Sequence, residues 1–150
     1  MAEERIAFCL ETLGHIDECL AMRRAMHDAI TAVEPDSATW CASVINLSEA
    51  LMRHHRVVEN IRFMRSIDSP VARKDNGITV ETMLRIMLCY AKSVYLYHFI
   101  GADGYNDEYL RSISMFEDIG TRAVQLLGED SELSDEVAEC HAEAISFRLE

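Results

Sequence analysis
The chain has 150 residues, with 26 acidic side chains against 14 lysines and arginines and a formal net charge of −12. Apolar residues make up 49% and there are only two prolines, which excludes a disordered or loop-dominated chain and fits one domain, residues 1–150, with a sizeable core. The acid excess excludes direct nucleic-acid binding, because phosphate contacts need a basic surface. The charge is also uneven: residues 1–67 carry −3, residues 68–104 carry zero and residues 105–150 carry −9.

The first helix is expected from about Glu3 to Val33. Its first half carries the stripe Ile6, Cys9, Leu10, Leu13, Ile16, Leu20, a helical period. The apolar face then shifts to Met22, Met26, Ala29, Ile30 and Val33, while Arg23, Arg24 and His27 continue the original one, so either a bend near Ala21 or two halves that bury different sides is expected. Pro35 ends the helix, and Asp36 or Ser37 caps the next. The second helix is expected over Ser37 to Ile67, where Trp40, Val44, Leu47, Leu51, His54, Val58 and Ile61 step by four and three. The short connection makes these two an antiparallel pair, with facing positions summing to about 71. That register places Leu13 near Val58, and Asp17 near His54 or His55.

Asp68 to Gly77 is the clearest loop. Thr79 then caps a third helix, with Ile78 and Met83 as a hydrophobic staple. Residues 80–100 are the most apolar part of the chain. Between Met83 and Ile100 the only charges are Arg85 and Lys92, seven apart and so on one narrow strip. This is the expected central helix, ended by Gly101 and interrupted too often to span a bilayer. Lys92, on the polar strip, is expected to tolerate aspartate. A fourth helix from Asp107 to Leu127 carries the seam Tyr109, Ile113, Phe116, Gly120, Ala123, Leu127. Gly120 there signals a close helix contact. A fifth starts at Ser131 or Ser134, with Leu133, Val137, Cys140, Ala144 and Phe147 on one face. The expected fold is therefore all-α: five helices, with two long antiparallel N-terminal helices around a highly apolar central helix.

Few residues point to catalysis. There is no Gly-x-Ser-x-Gly and no phosphate-binding glycine loop, and the nearest nucleophile pairing is Cys41 with His27. The five cysteines are odd in number, lack a CxxC and read as free thiols in a cytoplasmic protein. His15 with Glu11 and Glu18 reads as a solvated face. His54 or His55, with Asp17 and Glu59, reads as a core-edge histidine bonded to a carboxylate. No metal or other cofactor is expected, and no catalytic residue. The aromatic and methionine group Tyr90, Tyr95, Tyr97, Phe99, Met83, Met87 and Met115 reads as core, with a small apolar ligand as the alternative.

The acidic run Glu129, Asp130, Glu132, Asp135, Glu136 and Glu139 contains no base. It marks a docking surface for a basic protein partner. The expectation is a non-enzymatic protein-binding module, of the kind that acidic inhibitor, immunity or nucleic-acid-mimic proteins represent. It is cytoplasmic and homodimeric, because the first and third predicted helices offer more apolar face than one chain covers. The alternatives are a bundle binding an apolar ligand or a metal, and a repeat-like adaptor or chaperone holding a peptide. The cationic cluster Arg53, Arg56, Arg62, Arg65, Arg73 and Lys74 is expected to pair with the acidic C-terminal region.

Overall fold
A computed structural model describes residues 2–68, 72–73, 75–100 and 107–149. Among these the chain is all-helical, with α1 Ala2–Thr12, α2 Ile16–Val33, α3 Ala38–Arg53, α4 Val57–Arg65, α5 Val80–Ile100, α6 Asp107–Leu127 and α7 Glu132–Leu149. The expected Gly101 cap lies outside the described residues, as do Ser69, Pro70, Val71 and Lys74 of the expected loop and the side chains of Phe99 and Phe147.

Seven helices replace five because both long N-terminal helices are broken. The first break is at Gly14, whose φ of +85° is the left-handed conformation that glycine favours at a helix end. The His15 amide bonds back to the Leu10 carbonyl at 2.8 Å, closing a wide C-terminal turn. The second break uses the same device without a glycine. His55 sits at φ +58°, and the Arg56 amide bonds to the Leu51 carbonyl at 2.8 Å. The expected bend near Ala21 is absent, since α2 runs through it.

The two breaks divide the expected long pair into four helices, with α1 packed on α2, α2 on α3 and α3 on α4. Between α2 and α3 the expected register holds. The Trp40 indole donates to Thr31 Oγ1 at 3.0 Å, and His27 Nδ1 meets Ser43 Oγ at 2.8 Å. Leu13 and Val58, expected to face each other, are both exposed instead, at 72% and 48%. The first half of the predicted stripe also fails. Ile6, Cys9 and Leu13 are exposed, and α1 buries Ala7. In α2 the buried face is the one that continues through Cys19, Leu20 and His27.

Caps form where the sequence placed them. Ser37 Oγ accepts from the Trp40 amide, Thr79 Oγ1 from Thr82 and Ser131 Oγ from Ser134, each at 3.1 Å. The buried core falls into two clusters. One gathers Trp40, Val44, Leu47, Leu51, Phe63 and Met64, and the other Tyr109, Ile113, Phe116, Ile119, Leu133 and Val137. Helix α5 separates them. Its Ile86 and Cys89 face the first, while Leu84, Leu88, Ala91 and Tyr95 face the second. It packs on α3, α4, α6 and α7, which explains why it is apolar on most sides.

Gly120 is the expected close approach of α6 to α7. A Cβ there would meet Val137 Cγ1 at 3.4 Å, in van der Waals contact. Gly120→Ala should therefore stabilise the protein by about 0.5–1 kcal/mol, through lower unfolded-chain entropy and better helix propensity. A thermal melt checks this; a lower midpoint would mean that Val137 cannot yield.

Candidate functional site
The acidic run is built by the turn between α6 and α7 and by the first turns of α7. Gly128, at φ +94°, ends α6 and reverses the chain. Glu129 and Asp130 stand exposed in that turn, and Glu132, Asp135 and Glu139 are exposed on α7. Glu132 and Asp135 lie in the first turn of α7, where the helix dipole favours a negative charge. At 3.6 residues per turn, positions 132, 135, 139 and 143 share one face, so these acids and Glu143 form a ridge along α7. Among the described residues no cationic nitrogen lies within 4 Å of any of them. The nearby Arg122 and His141 are bound to Asp118 and Glu117 of α6, at 3.4 and 3.3 Å.

Glu136 differs from its neighbours. It turns inward and is held by two cations of α5, Arg85 at 3.1 Å and Lys92 at 2.9 Å, one on each carboxylate oxygen. Arg85 also reaches Glu81 at 3.3 Å. The polar strip of α5 thus exists, but it lies against α7 and is only partly exposed. Burial pushes Glu136 upward, and the hydrogen bonds and charges of Lys92 and Arg85 outweigh this and hold it below the ordinary carboxylate value. For Lys92, desolvation is the largest effect and opposes the charged form, yet the Glu136 partner leaves its pKa raised. The expected tolerance of Lys92 to aspartate is therefore withdrawn, because a carboxylate there would face Glu136.

The same bridge borders a groove of about 500 Å³. Helices α3 and α7 both pack on α5 but not on each other. The space between them has a floor of Lys92, Tyr95 and Leu96, with Phe116 behind. One wall is Glu49, Met52 and Arg53 of α3; the other is Glu136, Cys140 and Glu143 of α7. Tyr95 packs edge-on to Phe116 at 6.1 Å and tilted to Tyr109 at 5.6 Å, so the floor is held by aromatic contacts. The sequence reading missed Glu49 and Glu143 as groove residues. The signal for Glu143 was there, as the next position on the 132–135–139 face. None existed for Glu49, which reaches the groove only through helix packing.

Among the described residues, which leave out Lys74, no cation of the expected cluster pairs with the acidic region within the chain. Arg53 pairs with Glu11 at 3.0 Å, Arg56 with Asp17 and Glu59, and Arg73 with Asp75 at 3.4 Å. His54 Nε2 also reaches Glu11, at 3.0 Å, as the core-edge reading required but with a different acid. Glu11 is held below its ordinary pKa, chiefly by the Arg53 hydrogen bond. Glu11 thereby leaves His15, which meets only Glu18, at 3.9 Å. Among the described residues no three His, Cys, Asp or Glu side chains converge as a metal site would require.

The buried His27 is the nearest approach to a catalytic base, and its partner is Ser43, not Cys41. Ser43 donates its hydroxyl proton to the Trp40 carbonyl at 2.7 Å. In that arrangement the imidazole Nδ1–H donates to Ser43, so the serine proton is committed elsewhere and the hydroxyl is not activated. His27 packs edge-on against Phe63 at 5.0 Å, and burial lowers its pKa. The cysteines are all free. Burial raises the thiol pKa of Cys41 and Cys140, and pushes Cys89 to about 12, which keeps these three thiols protonated at neutral pH.

No described helix is long and apolar enough to cross a membrane. No family model, no curated protein and no solved structure matches the chain.

Proposed function
We propose that this protein is a non-enzymatic binding module that docks a basic protein partner on the acidic α6–α7 corner and the α7 ridge, in the manner of an acidic inhibitor, immunity or nucleic-acid-mimic protein. The supporting observation is the set of exposed acids, Glu129, Asp130, Glu132, Asp135 and Glu139, with no cation within reach among the described residues. Glu136 contributes by anchoring α7 to α5 and not by direct contact. An uncompensated field of this kind steers a basic partner and accelerates association. The module works in the cytoplasm.

Reversing Asp130, Asp135 and Glu139 to lysine should leave helicity unchanged, at a local cost of about 0.3–1 kcal/mol each. Affinity for a lysine-rich peptide should fall at least about tenfold, mostly through the on-rate, and added salt should weaken the unmodified complex in parallel. Equal affinity of wild type and the reversal, measured by fluorescence anisotropy, would place the partner surface elsewhere.

The module is a homodimer. Of the two grounds for this, the apolar surface of α5 is mostly covered within the chain among the described side chains, with Tyr97 at 36%, but α1 leaves Ile6, Phe8 and Leu13 at 48%, 62% and 72% exposure. A clean monomer in light scattering at high concentration would remove the dimer. A second reading, an apolar-ligand bundle, has one observation in its favour. A cavity of about 420 Å³ is lined by Met64, Ile67, Ile86, Met87, Tyr90 and Met115, with Arg65 as its one charged residue.

A further inference from the structure
We infer that the groove between α3 and α7 receives an amphipathic, lysine- or arginine-bearing segment of the basic partner, with a cation held between Glu49 and Glu143 and apolar side chains laid on the partly exposed Met52 and Leu96. This rests on the docking reading above and names the part of the partner that the module grips.

The charges in the groove decide the sign of the occupant. Its two cations are already committed, Lys92 to Glu136 at 2.9 Å and Arg53 to Glu11 at 3.0 Å. Glu49 and Glu143 have no cation within 4 Å among the described residues, so two negative charges remain on opposite walls. The charge of Glu143 adds to burial in raising the Tyr95 hydroxyl and the Cys140 thiol of the lining, and that of Glu49 reaches the buried Cys89 thiol outside it. An anionic ligand would meet repulsion from both walls and find no free donor charge.

The shape decides the class. Met52 and Leu96, partly exposed and backed by the buried Tyr95 and Phe116, give the groove an apolar lining, which suits the hydrocarbon stem of a lysine or arginine and its apolar neighbours. Glu143 is also the last member of the ridge that begins at Glu132. The two lie eleven positions apart, about 16 Å along a helix. A small amine satisfies one or two of these carboxylates. A chain with cations at intervals satisfies the row and leaves its apolar side for the groove.

The test uses two labelled peptides, one of leucine and lysine at helical spacing and one with every leucine replaced by glycine. Binding is measured by anisotropy for wild type, for Glu49→Gln/Glu143→Gln and for the Asp130→Lys/Asp135→Lys/Glu139→Lys ridge reversal, all checked for equal helicity. Glutamine keeps the size of each groove side chain, so folding should be retained. Wild type should bind the leucine peptide roughly tenfold more tightly than the glycine peptide, and the glutamine pair should remove most of that preference while leaving the glycine peptide little changed. If the glutamine pair binds the leucine peptide like wild type while the ridge reversal weakens both peptides, the groove inference falls and the docking reading stands. If the glutamine pair weakens binding and the ridge reversal does not, the groove stands and the ridge reading falls. Binding of neither peptide by wild type overturns both. Phenethylamine bound in the groove without either peptide would make the occupant a small amine and overturn the inference.

Discussion
Leu88→Asp is expected to abolish folding. Leu88 is 3% exposed and lies on the face of α5 that meets Tyr109, Phe116 and Leu133. Aspartate there has no cation to pair with inside that apolar cluster. It must either ionise in a low-dielectric core or fold as the neutral acid with unsatisfied oxygens. Either choice costs several kcal/mol, and the leucine's own burial, about 2–3 kcal/mol, is lost as well. The total is comparable with the whole stability of a domain of this size. Because α5 divides the two clusters, the loss also reaches the first cluster through Ile86 and Cys89. Val94→Asp, at a position 2% exposed, should behave alike. Far-UV circular dichroism of the variant should show loss of helix with no cooperative melt, whereas Leu88→Met should remain folded within about 1.5 kcal/mol of wild type. A cooperative Leu88→Asp melt near the wild-type midpoint would mean that α5 is not the wall between the cores.

Glu136→Lys should be the most damaging substitution within the acidic run. Wild-type Glu136 joins Arg85 and Lys92, and the three side chains are 31%, 24% and 25% exposed. Removing the carboxylate leaves Lys92 without its partner and Arg85 with Glu81 alone, both largely buried, and lysine adds a third cation beside them. Breaking a fully buried pair costs about 3–5 kcal/mol, and partial solvation reduces this to about 2–4 kcal/mol here. The melting point should drop by roughly 5–10 °C. Lysine at the neighbouring exposed Asp135 should change it by a degree or two. Equal effects at the two positions would mean that the bridge contributes nothing.

The bridge also sets a pH dependence. The folded carboxyls of Glu136 and Glu11 both lie below their ordinary value of 4.5. The folded state therefore binds fewer protons than the unfolded one in that region. The stability they contribute is complete above pH 4.5 and is lost as pH falls through the lowered folded values. Glu136→Gln should be less stable at neutral pH and show a shallower loss in acid than wild type. An acid limb of unchanged slope would remove Glu136 from the cause.

The helical breaks show where reading the sequence succeeded and failed. The period of three and four residues runs straight across Gly14, from Leu10 and Leu13 to Ile16, so periodicity argued for continuity. Glycine is a helix terminator only when the chain takes the left-handed turn, and that choice depends on whether α1 has something to pack on. At His55 there was less signal still. A histidine in that conformation costs roughly 1–2 kcal/mol, which packing of α4 on α5 must offset. The α2–α3 register was legible because a short turn and matched apolar spacing leave little freedom, and Thr31 meets Trp40 as the sum of positions requires.

The sequence by itself determined that the chain is helical, where Ser37, Thr79 and Ser131 cap it, that residues 80–100 are enclosed, and that the acidic excess sits at the C-terminal end. These are local properties, set by side-chain period, capping chemistry and composition. The tertiary structure alone decided which acid is structural and which are free. Glu136 lies 51 positions after Arg85 and 44 after Lys92, and only the packing of α7 on α5 brings it within 3.1 and 2.9 Å of them. It also decided that α3 and α7 stand apart across α5, which creates a groove where the sequence shows only three separate helices. Pairing of distant charges and the gaps between helices depend on helix positions in space, and no periodicity within one helix encodes them.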